Sequence, residues 1–330
     1  MMRQAGRYLP EYRAIREKHG FLEVCKTPDL AVEVSLQPYH AFRMDAVTVF
    51  CDILVPAQAM GMDLELGDGG PVLANPVRDS VSIGKLRSFD PEVETRFLCD
   101  ALRQLSRTLG SAVPVLGFAG APWTLACYIV EGRSKDGFPA AKQLFYREPA
   151  TFRMLLDTIA SNTARYLQAQ IAAGASAVQL FDTWAGELTQ ADYRAAALPA
   201  VQQVIREVKV AYPNVPVILY SKGTSHLLDS LAETGADVLS LDWRIDLAHA
   251  RRRLGSRIAL QGNVDPCVLL GPRQAIAEAV TAAVQKTGGQ GHILNLGHGI
   301  LPNTPVENAR LFIETAQSIR LSASAKAVPQ

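Results

Sequence analysis

Ala177-Val178-Gln179-Leu180-Phe181-Asp182-Thr183 is a mostly apolar run of strand length that stops on a carboxylate and a hydroxyl. The run is nearly continuous in apolar side chains rather than alternating, as expected of a strand covered on both faces inside a parallel sheet. Runs of the same kind recur at 46–50, 113–118, 215–220, 238–241, 258–261 and 293–296, which makes seven strand candidates. Each is followed by residues that could line a site: Asp52, Ala119-Gly120-Ala121-Pro122-Trp123, Ser221-Lys222, Asp242-Trp243, Gly262-Asn263 and Gly297-His298-Gly299. Helical spacing of apolar residues fills the intervals at 90–109, 150–173, 190–210, 272–285 and 305–319, and Thr27-Pro28-Asp29 and Asp90-Pro91-Glu92 read as helix starts. A barrel brings every strand's carboxyl end to one mouth, whereas an open doubly wound sheet concentrates function at one switch point. The pattern therefore predicts an α/β fold, a (β/α)8 TIM-type barrel forming a single domain over 1–321, with a flexible tail at 322–330. Met1-Met2-Arg3 then reads as the stub of a truncated first strand.

Composition sets outer limits. The chain of 330 residues is 48% hydrophobic, and Lys+Arg 33 against Asp+Glu 32 leaves a formal net charge of +1. Such a balance gives no global attraction to nucleic acid or to an anionic membrane, so any anion site must be local. Cys25, Cys51, Cys99, Cys127 and Cys267 are scattered without a Cys-x-x-Cys pair, which reads as free thiols in a reducing cytoplasm. No apolar run approaches the roughly 20 residues of a membrane span, so a soluble protein is expected. The histidines show no His-x-x-x-His pair and no zinc-like spacing to cysteine, and no catalytic metal is predicted.

The densest chemical signal is Arg3-Gln4-Ala5-Gly6-Arg7. Two guanidinium forks flanking a glycine suit carboxylates or phosphates, although from spacing alone a solvated, frayed terminus with ordinary surface arginines is the expected reading. Asp52 lies among apolar residues and needs either a cation or a capping role. Tyr128 reads as a ligand contact or as a core tyrosine with a wet tip. Thr183 reads as a hydrogen-bond donor to a ligand or as a helix cap. His298 lies between two glycines that permit close approach to the backbone, and is expected in the site. Lys222 could form a Schiff base, but nothing nearby supports this, and a solvated lysine is the expectation.

The segments MRQAGRYLPEYR, FCDILVPAQAMGM, GFAGAPWTLACYIVEG, LFDTWAGEL, LDWR, LQGNVDPC and NLGHGILPNTP together resemble the uroporphyrinogen decarboxylase family, in family order over nearly the whole chain. The resemblance implies a barrel, usually a homodimer, that converts uroporphyrinogen III to coproporphyrinogen III with neither metal nor organic cofactor. It also implies that Arg3, Gln4, Ala5, Gly6 and Arg7 form a substrate-binding arginine loop in which Arg3 and Arg7 serve catalysis. By the same resemblance Asp52 accepts the pyrrole N–H groups, and Tyr128, Thr183 and His298 are further substrate contacts. Relatives carry a leading helix and strand before the arginine motif, so a chain begun at an internal methionine is expected. The alternatives are a corrinoid-linked methyltransferase on the same barrel, which would need a zinc site of histidine and cysteines, and a porphyrin-binding barrel without catalysis.

Overall fold

The computed structural model describes residues 3–67 and 70–321. The expected tail at 322–330 and the strand stub's Met1 and Met2 lie outside the described residues, and Arg3 sits in a turn. Seven parallel strands form one sheet: β1 (Val47–Thr48), β4 (Val115–Gly120), β5 (Ala177–Asp182), β6 (Val217–Ser221), β7 (Val238–Leu241), β8 (Ala259–Val264) and β9 (His292–Leu296), paired in that order. The remaining two, β2 (Leu64–Gly67) and β3 (Gly70–Leu73), make a separate antiparallel hairpin, which the search for continuous apolar runs does not detect.

The sheet curls. Gln261 Nε2 on β8 donates to Gln179 Oε1 on β5 at 3.0 Å and to Ser240 Oγ on β7 at 2.8 Å. Tyr220 of β6 likewise donates to the Gly297 carbonyl just beyond β9 at 3.1 Å. Strands three places apart in a sheet touch in this way only when it rolls toward closure, as in a TIM-type barrel. Among the described residues, β1 and β9 end the sheet and do not pair with each other. A cavity of ≈ 370 Å³ lies at this opening, lined in part by Gln4, Thr48, Gln179, Gln261 and Asn295.

The free edge of β1 is met by a side chain. Gln4 Nε2 donates to the Ala46 carbonyl at 3.0 Å, and the Thr48 N–H donates to Gln4 Oε1 at 2.9 Å. The carboxamide thus presents one donor and one acceptor as a neighbouring strand's peptide would.

The helices follow the apolar periodicity, with breaks where backbone chemistry intervenes. The predicted helix at 90–109 divides into Pro91–Glu94, capped by Asp90, which accepts from the Glu92 N–H, and Arg96–Leu109. The second segment buries Leu98, Cys99, Ala101, Leu102 and Leu105 along one stripe, and truncating a sealed leucine such as Leu102 costs about 2–5 kcal/mol in comparable cores. The predicted helix at 190–210 contains a π-helical stretch, Tyr193–Ala197, before Leu198–Ala211. One hydrophobic cluster extends from Tyr8 to Ile313. All five cysteines are free, and among the described residues no helix is long and apolar enough to cross a membrane.

Candidate functional site

The amino-terminal loop is anchored rather than frayed. Beside the Gln4 contacts, the Tyr8 hydroxyl donates to the Gln4 carbonyl at 2.8 Å, and Tyr8 and Leu9 are buried. Pro10 opens helix Pro10–Lys18, whose Arg13 Nη1 donates to the Arg7 carbonyl at 2.9 Å. Arg3 holds a left-handed backbone, φ 55°, uncommon for a non-glycine residue and maintained by the contacts around it. Its side chain lies on Gly299, where an added Cβ would come within 2.6 Å of Arg3 Cγ and Nε. The sequence reading reserved the glycines around His298 for a ligand's approach, but they admit protein. Gly297 has the Trp243 N–H where its Cβ would be, at 2.6 Å, and Gly299 has Arg3.

Asp52 follows β1 at the mouth. Phe50 just before it is held by its N–H to Ser35 Oγ at 2.8 Å. Asp52 Oδ1 accepts the Leu54 N–H at 2.8 Å, so the carboxylate has a local turn role as well as its charge. Burial raises its pKa, while the Leu54 N–H and then Arg3 oppose that shift. Arg7 is exposed, and its charge acts on Tyr12.

On the next walls, helix Pro122–Glu131 presents Tyr128, whose ring centroid lies 6.3 Å from that of Trp184. Burial raises the Tyr128 pKa, and Asp52 and Arg3 are both near enough to influence it. Thr124 on the same helix donates to Asp182 Oδ1 at 2.8 Å and accepts the Trp184 N–H at 3.2 Å. Asp182 is sealed, its Oδ2 has no partner among the described residues, and burial pushes its pKa up to about 7. Thr183, between them, is half-buried. The following turn, Ala185–Glu187, has Trp184 rather than Thr183 at its cap position, so the helix-cap reading of Thr183 fails.

His298 closes the circuit. Its Nδ1 is 2.7 Å from the Tyr220 hydroxyl and its ring stacks on Tyr220 at 5.8 Å. Burial first, then Arg3, Lys222 and Arg244, push its pKa down to about 3, so the imidazole is neutral at ordinary pH. With the Tyr220 proton donated to the Gly297 carbonyl, the His298 Nδ1–H donates to the Tyr220 oxygen and Nε2 is left as an acceptor for a ligand N–H or O–H. Arg3, Asp52, Tyr128 and His298 thus share one mouth, with Gln4 directed into the β1 edge and Arg7 further out. Tyr220 was missed in sequence because a tyrosine inside an apolar strand run reads as core.

Comparisons with known proteins agree in one direction. The family described as "Uroporphyrinogen decarboxylase (URO-D)" matches residues 1–319. A uroporphyrinogen decarboxylase of Gloeobacter violaceus is 51% identical over 320 residues, covering 97% of this chain and 92% of that protein. One from Synechococcus sp. (strain JA-2-3B'a(2-13)) is 46% identical over 318 residues, covering 96% and 92%. Among solved structures, a methyltransferase from Methanosarcina mazei superposes with a TM-score of 0.79 at 20% identity, covering 89% of this chain and 86% of the other. A B12-independent methionine synthase from Shewanella sp. W3-18-1 gives 0.58 at 11% identity, covering 90% and 88%. At those identities the two structural likenesses speak to fold alone.

Proposed function

The chain belongs to the uroporphyrinogen decarboxylase family, and from this premise we infer that it removes carbon dioxide from the four acetate side chains of uroporphyrinogen III, giving coproporphyrinogen III. It is a carboxy-lyase of tetrapyrrole biosynthesis. The observation that carries the mechanism is Asp52, a carboxylate at the mouth facing the Arg3 charge.

An acetate on a pyrrole keeps its carboxylate until the ring is protonated, because only a cationic ring accepts the electron pair of the breaking carbon–carbon bond. Carbon dioxide then departs, a proton completes the methyl group, and the ring returns its extra proton. Asp52 beneath the ring N–H groups stabilises the cation more than the neutral ground state, which is the condition for lowering the barrier. Arg3 and Arg7 hold carboxylate arms, and the main chain of Gln4, Ala5 and Gly6 shapes the loop between them. Tyr128, Thr183 and His298 offer uncharged hydrogen-bonding groups. The protein acts as a single-domain homodimer in the cytoplasm and uses neither metal nor organic cofactor.

The test is anaerobic incubation with uroporphyrinogen III, with and without exhaustive chelation. Coproporphyrinogen at equal rates in both is the expected outcome. Turnover lost to the chelator and restored by zinc would favour the methyltransferase reading, and binding without turnover would favour a carrier.

A further inference from the structure

A second group of cations lies three and four strands round the sheet from β1, at the ends of β6 and β7. Lys222, expected as a solvated lysine, is half-buried, with Nζ 5.6 Å from the centre of the Trp184 ring. The Arg244 guanidinium lies over Trp243 at 4.3 Å. Asp242, buried at 1%, ties the two together. Its Oδ2 accepts the Gly223 N–H at 2.8 Å and Arg244 Nη1, and its Oδ1 accepts the Arg244 N–H at 3.3 Å.

Backbone packing aims these turns at the site. Gly186 fits against the Lys222 carbonyl, which its Cβ would meet at 2.4 Å, and Gly297 fits against the Trp243 N–H. The two cation-bearing turns are thereby wedged between the Trp184 turn and the His298 turn. Both charges, with Arg3, reach the His298 ring. Among the described residues Lys222 has no carboxylate partner, and Arg244 uses one guanidinium nitrogen on Asp242, leaving Nε and Nη2 for a ligand.

We propose that Lys222 and Arg244 form a second carboxylate-binding pair, which receives a side-chain carboxylate of the tetrapyrrole on the wall opposite Asp52. The proposal rests on the decarboxylase reading for the identity of the ligand. Uroporphyrinogen carries eight carboxylates, more than Arg3 and Arg7 can meet, and each turnover removes one. The pair therefore weighs most for the most highly charged substrate. Asp242 is a positioning residue, because it holds Arg244 directly and, through the Gly223 N–H, the turn that carries Lys222, without touching the ligand.

The experiment compares wild type with Lys222→Gln, Arg244→Gln, the double variant and Arg244→Lys, each checked for an unchanged melting temperature. Quenching of tryptophan fluorescence by uroporphyrin, the oxidised octacarboxylate, reports binding whether or not turnover occurs. Anaerobic kinetics with uroporphyrinogen separate KM from kcat. Each glutamine variant should weaken uroporphyrin binding and raise KM by about tenfold, with more for the double variant, kcat within about twofold and partial recovery in Arg244→Lys. The effect should shrink for the pentacarboxylate intermediate. Unchanged binding in folded glutamine variants, or a fall confined to kcat, would overturn the proposal. Absence of wild-type turnover would count against the decarboxylase reading, and the binding series would still decide this one. Should a glutamine variant fail to fold, Arg244→Lys and Lys222→Arg decide by the direction of the uroporphyrin affinity: no change in either overturns the pair.

Discussion

Asp52 and Asp182 occupy equivalent places, each at the carboxyl end of a strand, yet their surroundings give them opposite chemistry. Asp52 opens onto the mouth, accepts one backbone N–H and feels the Arg3 charge. Asp182 is sealed, with one oxygen on Thr124 and no cation among the causes of its shift. Burial raises both pKa values, but only Asp52 has a nearby charge that favours the ionised form. A strand-end carboxylate is thus a candidate by position, and its partners decide whether it acts as an anion or as a structural hydrogen-bonding group.

The sharpest way to break this contrast is Asp52→Asn, which keeps shape and removes charge. The decarboxylation rate should fall by about 10²–10³-fold with little change in binding. In wild type the rate should decline as pH falls through the Asp52 pKa, which burial raises from its ordinary value, and His298 cannot contribute because it stays neutral to about 3. Wild-type turnover in Asp52→Asn would make Asp52 structural.

Gly299→Ala tests the Arg3 side of the comparison without touching either residue. The new methyl group would overlap Arg3, displacing the guanidinium, and kcat/KM should drop by about tenfold. An unchanged value would show that Arg3 does not need this seat.

Asp182→Asn should instead register in stability. The folded chain keeps the Asp182 proton up to about pH 7, whereas the unfolded chain releases it near about pH 3.9. The stabilisation is therefore complete below the unfolded value and is lost as pH rises toward 7, up to about 4 kcal/mol. Melting curves from pH 4 to 8 should show the variant gaining several degrees relative to wild type, and parallel curves would remove Asp182 from the account. The smallest effect is expected for Arg7→Lys. Arg7 is exposed, so loss of its bidentate fork should raise KM by only about threefold.

Strand positions were legible in the sequence because strands covered on both faces must be apolar throughout. β7 lies where expected, and β4, β5, β6 and β8 extend past their apolar runs into the small or polar residues that follow. The first strand shrank to Val47–Thr48 because the chain turns toward Asp52, held by Ser35 and the Asp52–Leu54 contact. Arg3 and Asp52 stand out in the sequence because residue type alone constrains their chemistry, and the fold brings the two within electrostatic reach of each other. Gln4 was taken for a ligand contact, and nothing in its neighbours reveals that it would serve a strand edge. Lys222 reads as a solvated lysine in the sequence and Arg244 does not stand out at all, because a single cation after a strand looks like surface until Trp184, Trp243 and Asp242 are seen beside it. The π-helical stretch has no pattern that separates it from an ordinary helix.

The contacts among Gln179, Ser240 and Gln261 have a consequence for assembly of the sheet. Side chains alternate faces along a strand, so a one-residue slip of β8 would turn Gln261 outward into the apolar layer beneath the helices. It would also strand the carboxamide of Gln179 in the interior. Leucines at these positions would fill similar space and tolerate either alignment. The three polar groups therefore act as a lock that fits only one key: they add little to the depth of the native state, but make its neighbouring misalignments costly.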